Sequence, residues 1–291
     1  MPTRIILNAD DFGLTPGINR AVGELHSAGV LTSTTLMATG PAFDDAVAVA
    51  RAHPTLRVGC HIVLTDGIPV SPPESIPSLI APDGKSFRPA LTAFLCALFL
   101  GHIRAEDISR EVLAQIQKLQ RAGIRVTHVD THKHTHLFSA VARPLLAVAE
   151  QTSVCAIRNP FEPSWSLALH QGSAARRLAI RLIGRLRPRF ETALSQHHNR
   201  VLTTDGTVAI SATGQLDTTT LAQVLRALPS NGTYELCCHP GYSDRDLDRV
   251  TTRLRAHRNI EREALLTEIP RILAHPDAPK LIHYGDLDPP A

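Results

Sequence analysis

The stretch Asn8-Ala9-Asp10-Asp11-Phe12-Gly13 follows directly on the apolar run Ile5-Ile6-Leu7. Two adjacent carboxylates at the end of an apolar strand repel each other and lose hydration unless a positive group lies beside them. A metal ion would meet that need. A second stretch, Thr127 to His136, carries His128, His132, His134 and His136 at even positions, so an extended chain would place them on one side. All four cannot bind one ion. Imidazole offers a lone pair near neutral pH and carboxylate supplies charge, so two histidines with one carboxylate make a recurrent catalytic metal site that leaves positions open for water and substrate. Asp11, His61 and His132 fit that set.

Short β-branched or apolar runs predict strands at Arg4 to Leu7, Thr32 to Met37, Arg57 to Ile62, Arg125 to Val129, Ser153 to Ile157, Tyr234 to Cys238 and Lys280 to Ile282. Between them, helical spacing of apolar residues predicts helices at Pro16 to Ala28, Ala42 to Ala52, Ala105 to Ala122, Ser139 to Gln151, Thr218 to Leu228 and Arg255 to Ala274. Alternating strands and helices mean an α/β protein with parallel strands. In such folds the active site forms at the carboxyl ends of the strands. Asp10, Asp11, His61, Asp130, His132, Arg158 and His239 all stand at or just beyond predicted strand ends, so they are expected to meet. The Pro-, Ser- and Gly-rich segment Thr65 to Pro89 reads as a long loop over one face.

The motifs Asn8-Ala9-Asp10-Asp11-Phe12-Gly13, Gly59-Cys60-His61 and Asp130 to His136, with the late Cys238-His239-Pro240-Gly241, resemble the YdjC family of carbohydrate deacetylases, which includes chitooligosaccharide deacetylases. Their order and spacing cover most of the chain, and general likeness points to the hopanoid-biosynthesis-associated branch. The resemblance implies one domain over residues 1–291, a distorted (β/α) barrel of about seven parallel strands. It implies that Asp11, His61 and His132 bind one divalent ion, with Mg²⁺ and Zn²⁺ both admitted, and that Asp10 is the general base. Arg158 would hold Asp10 ionised and oriented, His239 would be the acid for the leaving amine, and Asp130 would support His132 or His61. His134 and His136 are candidates for lining the sugar pocket together with Asp130. The implied reaction removes acetate from an N-acetylglucosamine unit, with an acetylglucosaminyl hopanoid as first choice of substrate and soluble acetylated chito-oligosaccharides as second. A sugar-binding protein without activity and a metal phosphoesterase are the alternatives from other classes.

Composition limits the remaining choices. With 43% hydrophobic residues, 20% charged residues and a net charge of +3, the chain reads as an ordinary globular protein, and nothing in it resembles a nucleic-acid-binding surface. The five cysteines form no CxxC pair, so mostly buried, reduced thiols are expected. The start of the chain lacks a signal-peptide pattern, which predicts a cytoplasmic protein. The apolar run Ala90 to Leu100 is too short to span a bilayer. From Ala175 to Leu186, apolar residues share one helical face while Arg176, Arg177, Arg181 and Arg185 fall elsewhere, a pattern compatible with docking at the inner surface of a membrane. A homodimer is compatible with the sequence.

Overall fold

A computed structural model describes residues 3–169, 180–197 and 200–287. Among them, seven parallel strands form one sheet: β1 (Arg4–Phe12), β2 (Ser33–Leu36), β3 (Arg57–Ile62), β4 (Val129–Thr131), β5 (Gly206–Val208), β6 (Thr233–Cys238) and β7 (Lys280–Ile282). The order is β4-β3-β2-β1-β6-β5, with β7 also paired to β1. One edge of β1 is divided between two partners, because β7 pairs with Arg4 to Ile6 and β2 takes over from Asn8 onward. Parallel bridges from Val129 to Ile157 and from Ala156 to Leu202, and a hydrogen bond from Thr207 N to Phe161 O, curl the sheet into a distorted barrel.

Helices cover the outside: α1 (Pro16–Ser27), α2 (Phe43–Ala52), α3 (Leu91–Phe99), α4 (Ala105–Arg121), α5 (Ser139–Gln151), α6 (Ser164–Leu169), α7 (Arg187–Ser195), α8 (Thr218–Arg226) and α9 (Ala256–Leu273). Strand β1 shows why the sequence builds this arrangement. Ile5, Leu7 and Ala9 join the large core shared with the helices, whereas Ile6 belongs to a small cluster with Ala156, Ile282 and Tyr284. Asn8 and Asp10 share the parity of Ile6, so the barrel's interior changes from apolar to polar along the strand.

Three expectations need correction. The predicted strand Arg125 to Val129 begins only at Val129, and Ser153 to Ile157 contributes single bridges where β-branched residues had suggested a strand. Strand β5 and helices α3, α6 and α7 lie outside the predicted elements. After His132 the chain does not stay extended: Lys133 and His134 adopt left-handed conformations with φ of 58° and 52°, so the four histidines of this stretch do not share one side.

The segment from Thr65 to Pro89 is held in place. Glu111 of α4 accepts hydrogen bonds from Val70 N and Ser71 N, both at 2.9 Å, and Asp107 accepts one from Ser78 N at 2.9 Å. Ile76, Leu79 and Phe87 are buried in the core. Among the described residues, no helix is long and apolar enough to cross a membrane. Cys60, Cys237 and Cys238 are buried, Cys96 and Cys155 are exposed, and all five thiols are free.

Candidate active site

Successive strand residues point to opposite faces, so Asp10 and Asp11 should not both reach one site. The backbone resolves this at Asp11, which adopts φ 63° where the register between β1 and β2 shifts. Asp10 keeps the interior parity of β1, and the irregular step turns Asp11 toward the same end of the barrel. Gly13 follows at φ 92°, a left-handed conformation that favours glycine.

Asp11 Oδ1, His61 Nε2 and His132 Nδ1 form a compact triangle. The carboxylate oxygen lies 3.5 Å from each imidazole nitrogen, and the two nitrogens are 3.3 Å apart. Donors bound to one ion at about 2.1 Å with near-tetrahedral angles are roughly 3.4 Å apart, so the triangle fits a single divalent ion. His61 Nδ1 is 2.8 Å from Asp130 Oδ1, which leaves Nε2 to face the triangle. Two other groupings, Asp10 with Cys237 and His239 and Asp10 with His61 and Asp130, also bring three donors together. In both, however, Asp10 has each oxygen engaged by Arg158, whereas among the described residues Asp11 Oδ1 faces the two histidines.

Arg158 is fully buried and organises the rest of the interior. Its Nη1 and Nη2 donate to the two oxygens of Asp10 at 2.7 and 2.6 Å, while Nε and Nη2 reach Glu235 Oε1 at 2.8 and 2.6 Å. Nη1 also lies 2.5 Å from Asp130 Oδ2. Burial alone would raise the Asp10 pKa, but the Arg158 guanidinium holds it well below the usual carboxylate range. Burial likewise opposes ionisation of Asp11, where Arg258 and the two histidines prevail and keep it anionic. Burial disfavours a charge on His61, yet Asp130, Asp10 and Asp11 together push its pKa up to about 9 before any ion binds.

The profile of the YdjC-like protein family matches residues 4–273. The chain belongs to this family. It is 40% identical over 158 residues to a carbohydrate deacetylase of Brevibacillus brevis, covering 54% of this chain and 60% of that protein. It is 43% identical over 129 residues to carbohydrate deacetylase 1 of Listeria innocua, covering 44% of this chain and 51% of that protein. These matches therefore span only about half to three fifths of the relatives' length. A protein of Enterococcus faecalis V583, described as a cellobiose-phosphate cleavage protein, superposes over 98% of both chains with a TM-score of 0.76 and 26% identity.

In this YdjC-like barrel the other candidate residues take different places. His239 follows β6 with Nε2 3.9 Å from Asp10 Oδ2. His134 lies on the wall of a cavity of about 620 Å³. His136 is fully buried, with Nδ1 2.7 Å from Thr131 Oγ1, and Asp130 lies beneath the triangle. Neither is among the residues lining that cavity. His128 stacks on Tyr284 at 3.9 Å, and a Cβ on Gly59 would come within 2.6 Å of the His128 ring. The glycine that precedes Cys60-His61 thus makes room for a buried ring.

Sequence reasoning missed three buried charged groups. Glu235 anchors Arg158 and accepts from the Tyr284 hydroxyl. Arg258 Nη2 donates to Asp11 Oδ2 at 2.5 Å, on the oxygen turned away from the histidines. Glu261, one turn further along α9, accepts from His239 N at 2.6 Å. The signal for the last two was charge on the buried face: Arg258, Glu261, Ala264, Leu265, Glu268 and Ile269 are the inward residues of α9.

Proposed function

We propose that the protein is a metal-dependent carbohydrate N-deacetylase that removes acetate from an N-acetylglucosamine unit. The observation that carries this reading is the contrast between neighbouring carboxylates, one facing two histidines and the other clamped by Arg158. An ion held by Asp11, His61 and His132 would supply Lewis acidity, polarising the acetamide carbonyl and lowering the pKa of a water. Imidazole donors suit Zn²⁺ or another transition ion better than Mg²⁺. Asp10, kept anionic by Arg158, would take the proton of a water attacking the carbonyl carbon. His239 delivers a proton to the amine nitrogen as the C–N bond breaks, and the products are acetate and the free amino sugar. Asp130 fixes the orientation of His61 throughout.

The first-choice substrate is an acetylglucosaminyl hopanoid, as in the hopanoid-associated branch. Support comes from the cavity beside His134, whose wall includes Leu91, Leu95, Phe138, Phe161, Leu167 and Ile183. That lining suits an apolar aglycone. Phe99, 71% exposed, stands edge-on to Phe138, and Leu182 is 47% exposed between exposed Arg181 and Arg185. Such a rim suits peripheral contact with an anionic membrane surface. Part of the amphipathic stretch, Ala175 to Ala179, lies outside the described residues. A soluble acetylated chito-oligosaccharide is the second reading, supported by the name carbohydrate deacetylase carried by the relatives.

The test is acetate release from acetylglucosaminyl hopanoid and from acetylated chitobiose in parallel. Preference for the first supports the lipid-linked reading, and preference for the second replaces it. Phosphate release from a phosphorylated disaccharide without acetate release would favour the phosphoesterase alternative, and no turnover with retained sugar binding would favour the binding protein.

A further inference from the structure

Helix α9 lies beneath the site and anchors the loop that carries His239 at two points. His239 N donates to Glu261 Oε2 at 2.6 Å, and Gly241 N donates to Arg258 O at 3.1 Å. Pro240 joins these two fixed residues, so the loop has little freedom to turn the histidine elsewhere. Glu261 Oε2 also lies 3.9 Å from His239 Nδ1, while Nε2, at the opposite end of the ring, faces Asp10 at 3.9 Å. Glu261 is 1% exposed. His239 Nδ1 is buried without a hydrogen-bond partner. The orphaned ring nitrogen lies nearest Oε2, the oxygen that already accepts from His239 N, and a small ring rotation would bring it within hydrogen-bond distance.

We propose that Glu261 is a positioning residue for His239: it accepts a hydrogen bond from Nδ1–H and so presents Nε2 to the leaving nitrogen of the substrate. This rests on the deacetylase reading and adds a residue to it. In the acid step the proton moves from Nε2 to the departing amine as the C–N bond breaks. Glu261 stays ionised, stabilises the imidazolium beforehand and fixes which nitrogen carries the proton afterwards. An anion facing Nδ1 performs the same two tasks in other histidine-based acid–base pairs.

The experiment compares wild type, E261Q, H239N and the double variant on two substrates of opposite leaving-group character. Acetylated chitobiose expels a basic amine that must be protonated, whereas 4-nitrophenyl acetate expels a phenolate that need not be. The glutamine side chain keeps an oxygen that can accept from His239 N, so E261Q retains the loop anchor and loses only the charge. On acetylated chitobiose, kcat of E261Q should fall about 10²-fold with little change in KM, and ester cleavage should change less than about 3-fold. The double variant should be no slower than H239N. Equal losses on both substrates, or additive losses in the double variant, would overturn the proposal.

Nitrogen-15 NMR of the His239 ring, assigned by its disappearance in H239N, gives a readout independent of turnover. Wild type should show the Nδ1–H tautomer in its neutral form and E261Q should not. An unchanged tautomer overturns the role of Glu261 whatever the activity. If wild type releases no acetate but the tautomer shifts as expected, the deacetylase reading fails and the positioning of His239 by Glu261 stands.

Discussion

Replacing Arg158 with glutamine tests the polar interior at its centre. The guanidinium is fully buried and makes four hydrogen bonds of 2.6–2.8 Å to Asp10 and Glu235, besides its 2.5 Å pairing with Asp130. Removing one partner from a buried ion cluster costs about 3–5 kcal/mol, because the remaining charges lose compensation. For a chain of this size each kcal/mol lowers the melting temperature by roughly 2–4 °C, so a fall of at least about 6 °C is expected. The sign with pH follows from Asp10. Its folded pKa is depressed, so its contribution is present above the unfolded value of about 3.9 and fades as pH falls below it. The stability gap between wild type and R158Q should therefore be widest near neutral pH and narrow in acid. Once the arginine is gone, burial pushes the Asp10 pKa upward, and losing such a partner is worth about 1–3 units. R158Q should therefore lose kcat/KM in acid sooner than wild type does. R158K, which keeps charge but not the fork, should fall between. The assays are calorimetry from pH 3 to 8 and acetate release across the same range. If R158Q melts within 1 °C of wild type with an unmoved acid limb, the clamp has been misread.

Other outcomes follow from neighbouring contacts. Because carboxylates hold the His61 pKa at about 9 before an ion binds, metal uptake near pH 7 must displace a proton. Calorimetric titration in buffers of different ionisation enthalpy should show that release, and apparent affinity should rise about tenfold per pH unit below pH 9. R258M should weaken metal binding about 10- to 100-fold, the usual cost of losing a group that orients a ligand, as measured by competition with a chelator. Gly59→Ala should destabilise the fold by about 1–3 kcal/mol in denaturant titration, since its Cβ would lie 2.6 Å from the His128 ring. Glutamate at Arg181 and Arg185 should reduce sedimentation with anionic liposomes while leaving turnover of acetylated chitobiose unchanged, and undiminished sedimentation would remove the membrane reading.

Long periodic segments were legible in the sequence. Helix α5 spans Ser139–Gln151 as predicted, and β3 spans Arg57–Ile62, because each repeats its pattern over several turns or residues. Asp217 caps α8 through Thr220 N at 2.8 Å, as its residue type suggests. The short strands were harder to read. Gly206-Thr207-Val208 is too brief to show a period, and its strand character comes from pairing with β6. The turn after His132 was hidden too, because lysine has no preference for the left-handed backbone that Lys133 adopts, and the modest enrichment of histidine there does not mark a turn in a stretch of alternating histidines.

The site was legible where the strand-end rule applies: Asp10, Asp11, His61, His132, Arg158 and His239 do converge. What escaped was the support from the far end of the chain. Glu235 sits inside a strand, where its charge reads as a solvated position, and the chain gives no sign that Arg158 will meet it 77 residues away in sequence. Arg258 and Glu261 were visible as charges on the helix's inward face, but only the packed helix shows that they face Asp11 and His239.

Metal dependence and the role of Asp10 are tested together by acetate release from acetylated chitobiose and acetylglucosaminyl hopanoid after metal is stripped and single divalent ions are resupplied, with D10N alongside. Stripping should abolish release, and Zn²⁺ or a related transition ion should restore it. D10N should bind the ion as tightly as wild type yet lose at least about 10²-fold in kcat. Full activity without metal, or a D10N enzyme as fast as wild type, would contradict the division of labour between the two neighbouring aspartates.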